Sequence, residues 1–167
     1  MEQEYERSPV EDLSEVDIED EDTLSFYVAG DPQPKGSTRS FYVKKLDRVV
    51  TTTTNRNTKQ WQMRVATEAQ RANEERTTSF YSQDRRFGYE IEATFLFSRP
   101  KSLPKKLRMN TKRPDLDKLL RAVLDGLSDI VIPDDAQVVS ISSKKRYAEG
   151  SEMPGAEIII HRLRDGK

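Results

Sequence analysis

Asp115 and Asp117 stand two residues apart at the start of a segment that reads as a helix, and Arg121 follows one turn later. A second acidic pair, Asp134 and Asp135, lies beyond that helix and directly before a strand pattern. Carboxylates arriving from two places beside cations are the donors of metal-assisted phosphodiester hydrolysis, in which a divalent ion brings positive charge to the scissile phosphate. Magnesium takes hard oxygen ligands and keeps several waters, so a few carboxylates are enough to hold it. Each group also has a plain structural reading. Asp115 behind Pro114 suits a helix cap and the helix dipole. Asp117, Arg121 and Asp125, at helical spacing, suit a surface ion-pair ladder. Pro133-Asp134-Asp135 suits a turn. The metal reading requires the helix start to meet the strand start in space.

Elements that could position these residues follow from the rest of the chain. Its 167 residues fit one domain, and with 34% hydrophobic and 34% charged residues the core is modest and the surface highly charged. The absence of cysteine excludes disulfides, thiolate metal sites and cysteine nucleophiles, and the single His161 excludes a multi-histidine site within one chain. His161 falls in the terminal strand and reads as structural. No apolar run is long enough to span a membrane and the N-terminus lacks a signal-peptide pattern, so a soluble, cytoplasmic protein is expected.

The net charge of -1 conceals an asymmetry. Residues 1–22 hold eleven acids and one cation, Arg7, and read as an acidic disordered tail. Residues 23–167 hold 27 basic and 18 acidic residues and read as the folded domain. A basic body of this kind points to a polyanion partner.

Along that body, Leu24 to Ala29 alternates as a strand. Gly30 to Gly36 is a Gly/Pro loop. Phe41–Leu46 and Arg48–Thr53 form a hairpin about Asp47, with Lys35, Arg39, Lys44, Lys45 and Arg48 spread along loop and hairpin. Arg56 to Glu75 carries Trp61, Val65, Ala69 and Ala72 as one helical stripe. Phe87 to Ser98 alternates most clearly and belongs near the centre of a sheet. Residues 99–113 then hold seven Lys or Arg and no acid, including Lys105, Lys106, Arg108, Lys112 and Arg113. A loop so charged suits phosphates. Asp115 to Asp129 is the second helix, with a broad leucine face that suits a sheet and also a second subunit. Strands at Gln137–Tyr147 and Ala156–Leu163 close the fold. The expected class is α+β (α/β): one mixed sheet with two main helices packed on it.

The run from Arg113 to Leu127, RPDLDKLLRAVLDGL, followed by Asp134-Asp135-Ala-Gln-Val, resembles the RusA family of Holliday junction resolvases, common in phages and prophages. The family pattern is an Asp-x-Asp-Asn-Leu-x-Lys helix start, then Asp-Ala/Gly-Leu, then Asp-Asp-x-Gln-Val/Ile. Pro32-x-Pro-Lys-Gly36 with Arg39 resembles its N-terminal loop. The resemblance implies that Asp115, Asp117 and Asp135 are the catalytic, metal-binding aspartates and Asp134 an added ligand. Arg121 falls where the family has its catalytic lysine, and Lys118 where it has asparagine. It further implies Mg²⁺, with Mn²⁺ as a substitute, and a homodimer that nicks opposing strands of a four-way DNA junction. Lys35, Arg39, Lys105, Lys106, Arg108, Lys112, Arg113 and Lys118 are then the expected DNA contacts. Arg cannot readily donate a proton as Lys can. Two other readings therefore stay open: a branched-DNA-binding protein without catalysis, and a less selective flap or branch nuclease.

Overall fold

Among the described residues (22–36, 38–53 and 57–164, without the side chains of 38, 39 and 51–53) the elements of this computed structural model run in a simple order. They are β1 (Thr23–Ala29), β2 (Thr38–Val43), β3 (Arg48–Thr53), α1 (Thr58–Glu74), β4 (Phe87–Phe97), α2 (Leu116–Leu127), β5 (Val138–Tyr147) and β6 (Gly155–Arg164). Of the acidic tail, only Asp22 falls among them; it accepts from the Arg162 guanidinium at 2.7 Å.

Four strands make one sheet in the order β1-β6-β4-β5, and β2–β3 stands as a separate hairpin. β4 is interior, as its alternation requires. It pairs antiparallel with β6 and parallel with β5. A parallel pair needs a crossover, and the segment from Ser98 to Gln137 provides it, with α2 packed back on the sheet. The result is the expected mixed sheet with two helices, within one domain.

Both helices cover the same face. Tyr89, Ile91 and Phe95 of β4 and Ile158 and Ile160 of β6 are buried against Trp61 and Val65 of α1 and Leu119, Val123 and Leu127 of α2. Leu96 alternates onto the side of the sheet that the helices leave uncovered, yet it is only 2% exposed. Residues 108–110 explain why the β5 edge there is not bare. Met109 bridges Arg146, and the Tyr147 N–H donates to the Arg108 carbonyl at 2.9 Å. The basic loop thus caps an edge that would otherwise offer unpaired backbone.

Gly126 sets how closely the helices approach. A Cβ there would meet the Gln62 carbonyl oxygen at 2.9 Å and Val65 Cβ at 3.0 Å. Glycine inside a helix costs about 1 kcal/mol relative to alanine, so it persists here for want of space. Gly126→Val should lower stability by about 1–3 kcal/mol, the range for overpacking a filled core. Urea unfolding followed by circular dichroism reads this as a lower midpoint with unchanged slope.

Candidate active site

α2 runs opposite to the strands it connects. Its first residues lie at the Phe97 end of β4, and its last lie where β5 begins, opposite Tyr89. The Phe97 end collects the basic elements. Loop 30–36 leaves β1 there, the Gly30 N–H donating to the Pro154 carbonyl, and the Lys35 N–H donates to the Lys118 carbonyl at 2.8 Å. The loop 99–113 leaves β4 there as well. Lys145, near the end of β5, ties that loop down by donating to the carbonyls of Lys112 and Pro114, both at 2.6 Å. Between these segments lies a cleft of about 490 Å³ with Phe97, Pro32 and Pro34 in its walls and Arg113, Asp115 and Lys118 on it.

Asp115 occupies the N-cap position of α2, but its side chain makes no cap hydrogen bond. It turns instead to Lys118, whose Nζ lies 3.0 Å from Oδ2. That ammonium holds the Asp115 carboxyl below its usual range, with Arg113 and Lys145 adding to the effect. Capping alone therefore does not account for Asp115. Nor does an ion-pair ladder account for Asp117 and Arg121. Among the described residues, neither enters an ion pair, although both are exposed on α2 one turn apart.

Asp125 has a different place. Its carboxylate takes Lys35 Nζ at 2.7 Å and Gln62 Nε2 at 2.8 Å, and so joins loop 30–36, α1 and α2. With Gly126 at the helix contact and Leu127 in the core, the Asp-Gly-Leu run is a structural joint. Lys35 serves that joint and remains partly exposed at the basic end. The Arg39 backbone lies on β2, and its side chain falls outside the described residues.

The seven cations of the loop divide by task. Arg99 is folded inward. It donates to the carbonyls of Pro104 and Leu107 and lies 5.5 Å from the centre of the Tyr147 ring. Arg108 pairs with Glu149 at 3.1 Å but stays open to solvent. Lys101, Lys105, Lys106, Lys112 and Arg113 are exposed. Nothing in the sequence separated Arg99 from the others, because its partners are carbonyls brought near only by the loop's fold.

Asp134 and Asp135 lie at the other end of α2. Asp134 caps the short turn Asp135–Gln137 by accepting from the Ala136 N–H at 2.9 Å, which holds its carboxyl below the usual range. Asp135 is exposed. Gln137 fixes this end by donating to the Phe87 carbonyl at 3.0 Å. The twelve residues of α2 span about 18 Å. Along β5, the seven steps from Val138 to Lys145 cover about 23 Å. Within one chain, then, the helix start does not meet the strand start. Among the described residues, no three Asp, Glu or His side chains form a group able to hold a metal ion. One chain by itself therefore does not gather both acidic pairs around one ion.

Comparison with protein families decides the lineage. Residues 31–161 match the model described as endodeoxyribonuclease RusA. The chain belongs to the RusA family. The match takes in both acidic pairs, Arg121 and every loop at the basic end, and it marks the RusA domain as an endodeoxyribonuclease. A comparison with curated proteins returned no match. No helix among the described residues is long and apolar enough to cross a membrane.

Proposed function

We propose that the protein nicks four-way DNA junctions as a magnesium-dependent homodimer, cutting opposing strands. One observation carries this reading: Asp117 and Arg121 stand exposed on α2, without ion pairs among the described residues, at the end of the sheet where the basic loops converge. A surface that leaves an acid and a cation uncommitted one turn apart is poised for a ligand. Lys105, Lys106, Lys112 and Arg113 suit the phosphates of the junction arms, with Arg108 and Lys118 beside them. Arg121 suits the charge that develops on the scissile phosphate, since a guanidinium carries a fixed positive charge.

The separation of the acid pairs supports the dimer. If Asp134 and Asp135 belong to the same site as Asp115 and Asp117, a second protomer must bring its β5 start to the first protomer's α2 start. Two-fold symmetry makes the exchange reciprocal and yields two equal sites, which suits a two-fold junction. The Mg²⁺, or Mn²⁺ in its place, would then be held between protomers.

A second reading has its own observation. The Lys118 ammonium rests on Asp115, where a metal ion would compete with it. That favours a junction-binding protein that does not cut. A mobility-shift assay and a nicking assay on one synthetic four-way junction, with and without Mg²⁺, separate the two. The expected result is Mg²⁺-dependent nicking by the wild type, and binding without nicking by Asp117→Asn. Undiminished cleavage by that variant would sink the assignment, and binding without any wild-type nicking would favour the second reading. Flap and duplex substrates run alongside test for a less selective nuclease.

A further inference from the structure

The β2–β3 hairpin presents large apolar side chains that have no core to join. Phe41, Tyr42, Leu46 and Val49 are each between 51% and 63% exposed. Phe41 pairs with Val50 and Tyr42 with Val49, and successive residues of a strand face opposite sides. The ribbon is therefore apolar on both faces. Neither face packs on the four-stranded sheet, to which the hairpin is not bonded. A lone two-stranded ribbon is marginal in water, and exposed apolar surface of this kind marks an interaction site.

Charge selects the partner. The turn carries Lys44, Lys45 and Arg48, all exposed. Its one acid, Asp47, accepts the Tyr42 hydroxyl. Three cations around an apolar tip repel a second copy of the same tip and suit a polyanion with apolar faces to offer. Nucleic acid whose bases can be unstacked has that chemistry, since apolar side chains wedge between base steps and aromatic rings take up exposed bases.

The roots of the hairpin place it. On one side the Lys35 N–H is bonded to the Lys118 carbonyl, in the first turn of α2. On the other, the Thr58 hydroxyl donates to the Pro34 carbonyl at 2.7 Å and joins the start of α1 to the same loop. Both feet are thus fixed beside Asp115 and Asp117.

We propose that the β2–β3 hairpin is a strand-parting wedge, which inserts Phe41 and Tyr42 between bases at the branch point of the DNA held at the basic end. This rests on the branched-DNA reading given above. The Phe41 and Tyr42 rings would take the place of a neighbouring base in the stack, while Lys44, Lys45 and Arg48 hold the flanking phosphates.

The test uses the full chain in Mg²⁺-free buffer, where binding is not followed by cutting, and a four-way junction with 2-aminopurine at the branch point. Saturating wild-type protein should raise the fluorescence several-fold over free junction. Phe41→Ala/Tyr42→Ala should still shift the junction in a gel but lose that rise. Phe41→Tyr/Tyr42→Phe, which keeps both rings, should preserve it. An equal rise with the alanine variant overturns the wedge. So does a dimeric wild type whose alanine variant sediments as a monomer, because the hairpin would then be a contact between copies. Wild-type binding with no rise overturns the wedge alone, whereas failure of the wild type to bind the junction overturns the branched-DNA reading with it.

Discussion

Mixing Asp117→Asn protein with Asp135→Asn protein should restore junction nicking that neither has alone. The expectation follows from the path of α2. Its start carries Asp117 and its end leads to Asp135, about 18 Å apart along the helix. If a working site takes Asp117 from one protomer and Asp135 from its partner, a mixed dimer gathers both lesions into one site and leaves the other wholly wild type. If each site were built within one chain, every site in the mixture would carry a lesion and the mixture would stay silent. Random reassortment makes about half the dimers mixed, each with one of two sites intact, so about a quarter of the wild-type sites return. The products are equally diagnostic. A dimer with one live site nicks one strand, so single nicks should dominate over the paired incisions of the wild type. The assay is denaturing electrophoresis of a junction labelled on opposing strands, after the two proteins are unfolded and refolded together. No recovery, with each variant still binding the junction, would place the site within one chain, whereas nicking by Asp135→Asn protein alone would remove Asp135 from it.

That experiment is needed because the sequence shows local pattern more readily than distance. The alternation from Phe87 to Phe97 announced an interior strand, and it is one, since a strand buried among neighbours must keep one face apolar throughout. Trp61, Val65 and Ala69 announced the buried stripe of α1 for the same reason. Strand order was not legible. β6 enters between β1 and β4 through long-range pairing, and no local signal in Gly155–Arg164 says which neighbours it will take. The site followed the same division. That Asp115, Asp117 and Arg121 share the first turns of a helix was plain from their spacing. That Asp134 and Asp135 lie at its far end follows from the crossover, which returns the chain to the start of the sheet before β5 begins. The burial of Leu96 was not legible, because its cover comes from outside its own strand. The spacing of Asp125 suited a ladder with Arg121, but its actual partners, Lys35 and Gln62, came into view only with the fold. The two apolar faces of the hairpin were hidden in another way. Alternation in a half-buried strand and alternation in a free ribbon look alike until the missing sheet is seen.

Arg121→Ala should slow nicking by about 10²–10³-fold while junction binding changes far less, and Arg121→Lys should keep most of the rate. The size is that of losing one preorganised charge at a site where charge develops in the transition state. Arg121 suits that task by position: it is exposed, outside every described ion pair and one turn from Asp117. The comparison with lysine separates two roles for this residue. A guanidinium holds its proton throughout the working range, so a wild type that depends on Arg121 uses its charge. Lysine, with an ordinary pKa of about 10.4, supplies the same charge at neutral pH. If charge is all that is needed, the pH–rate profiles of wild type and Arg121→Lys should coincide up to about pH 9, close to where lysine begins to titrate. If the reaction instead wants a proton donor here, Arg121→Lys should be faster than the wild type, and its rate should fall as pH rises, on a limb that the arginine protein lacks. Parallel profiles with a slow alanine variant would make Arg121 an electrostatic residue. A faster lysine variant would make the wild-type arginine a brake on the chemistry, consistent with a chain whose Lys118 already sits on Asp115.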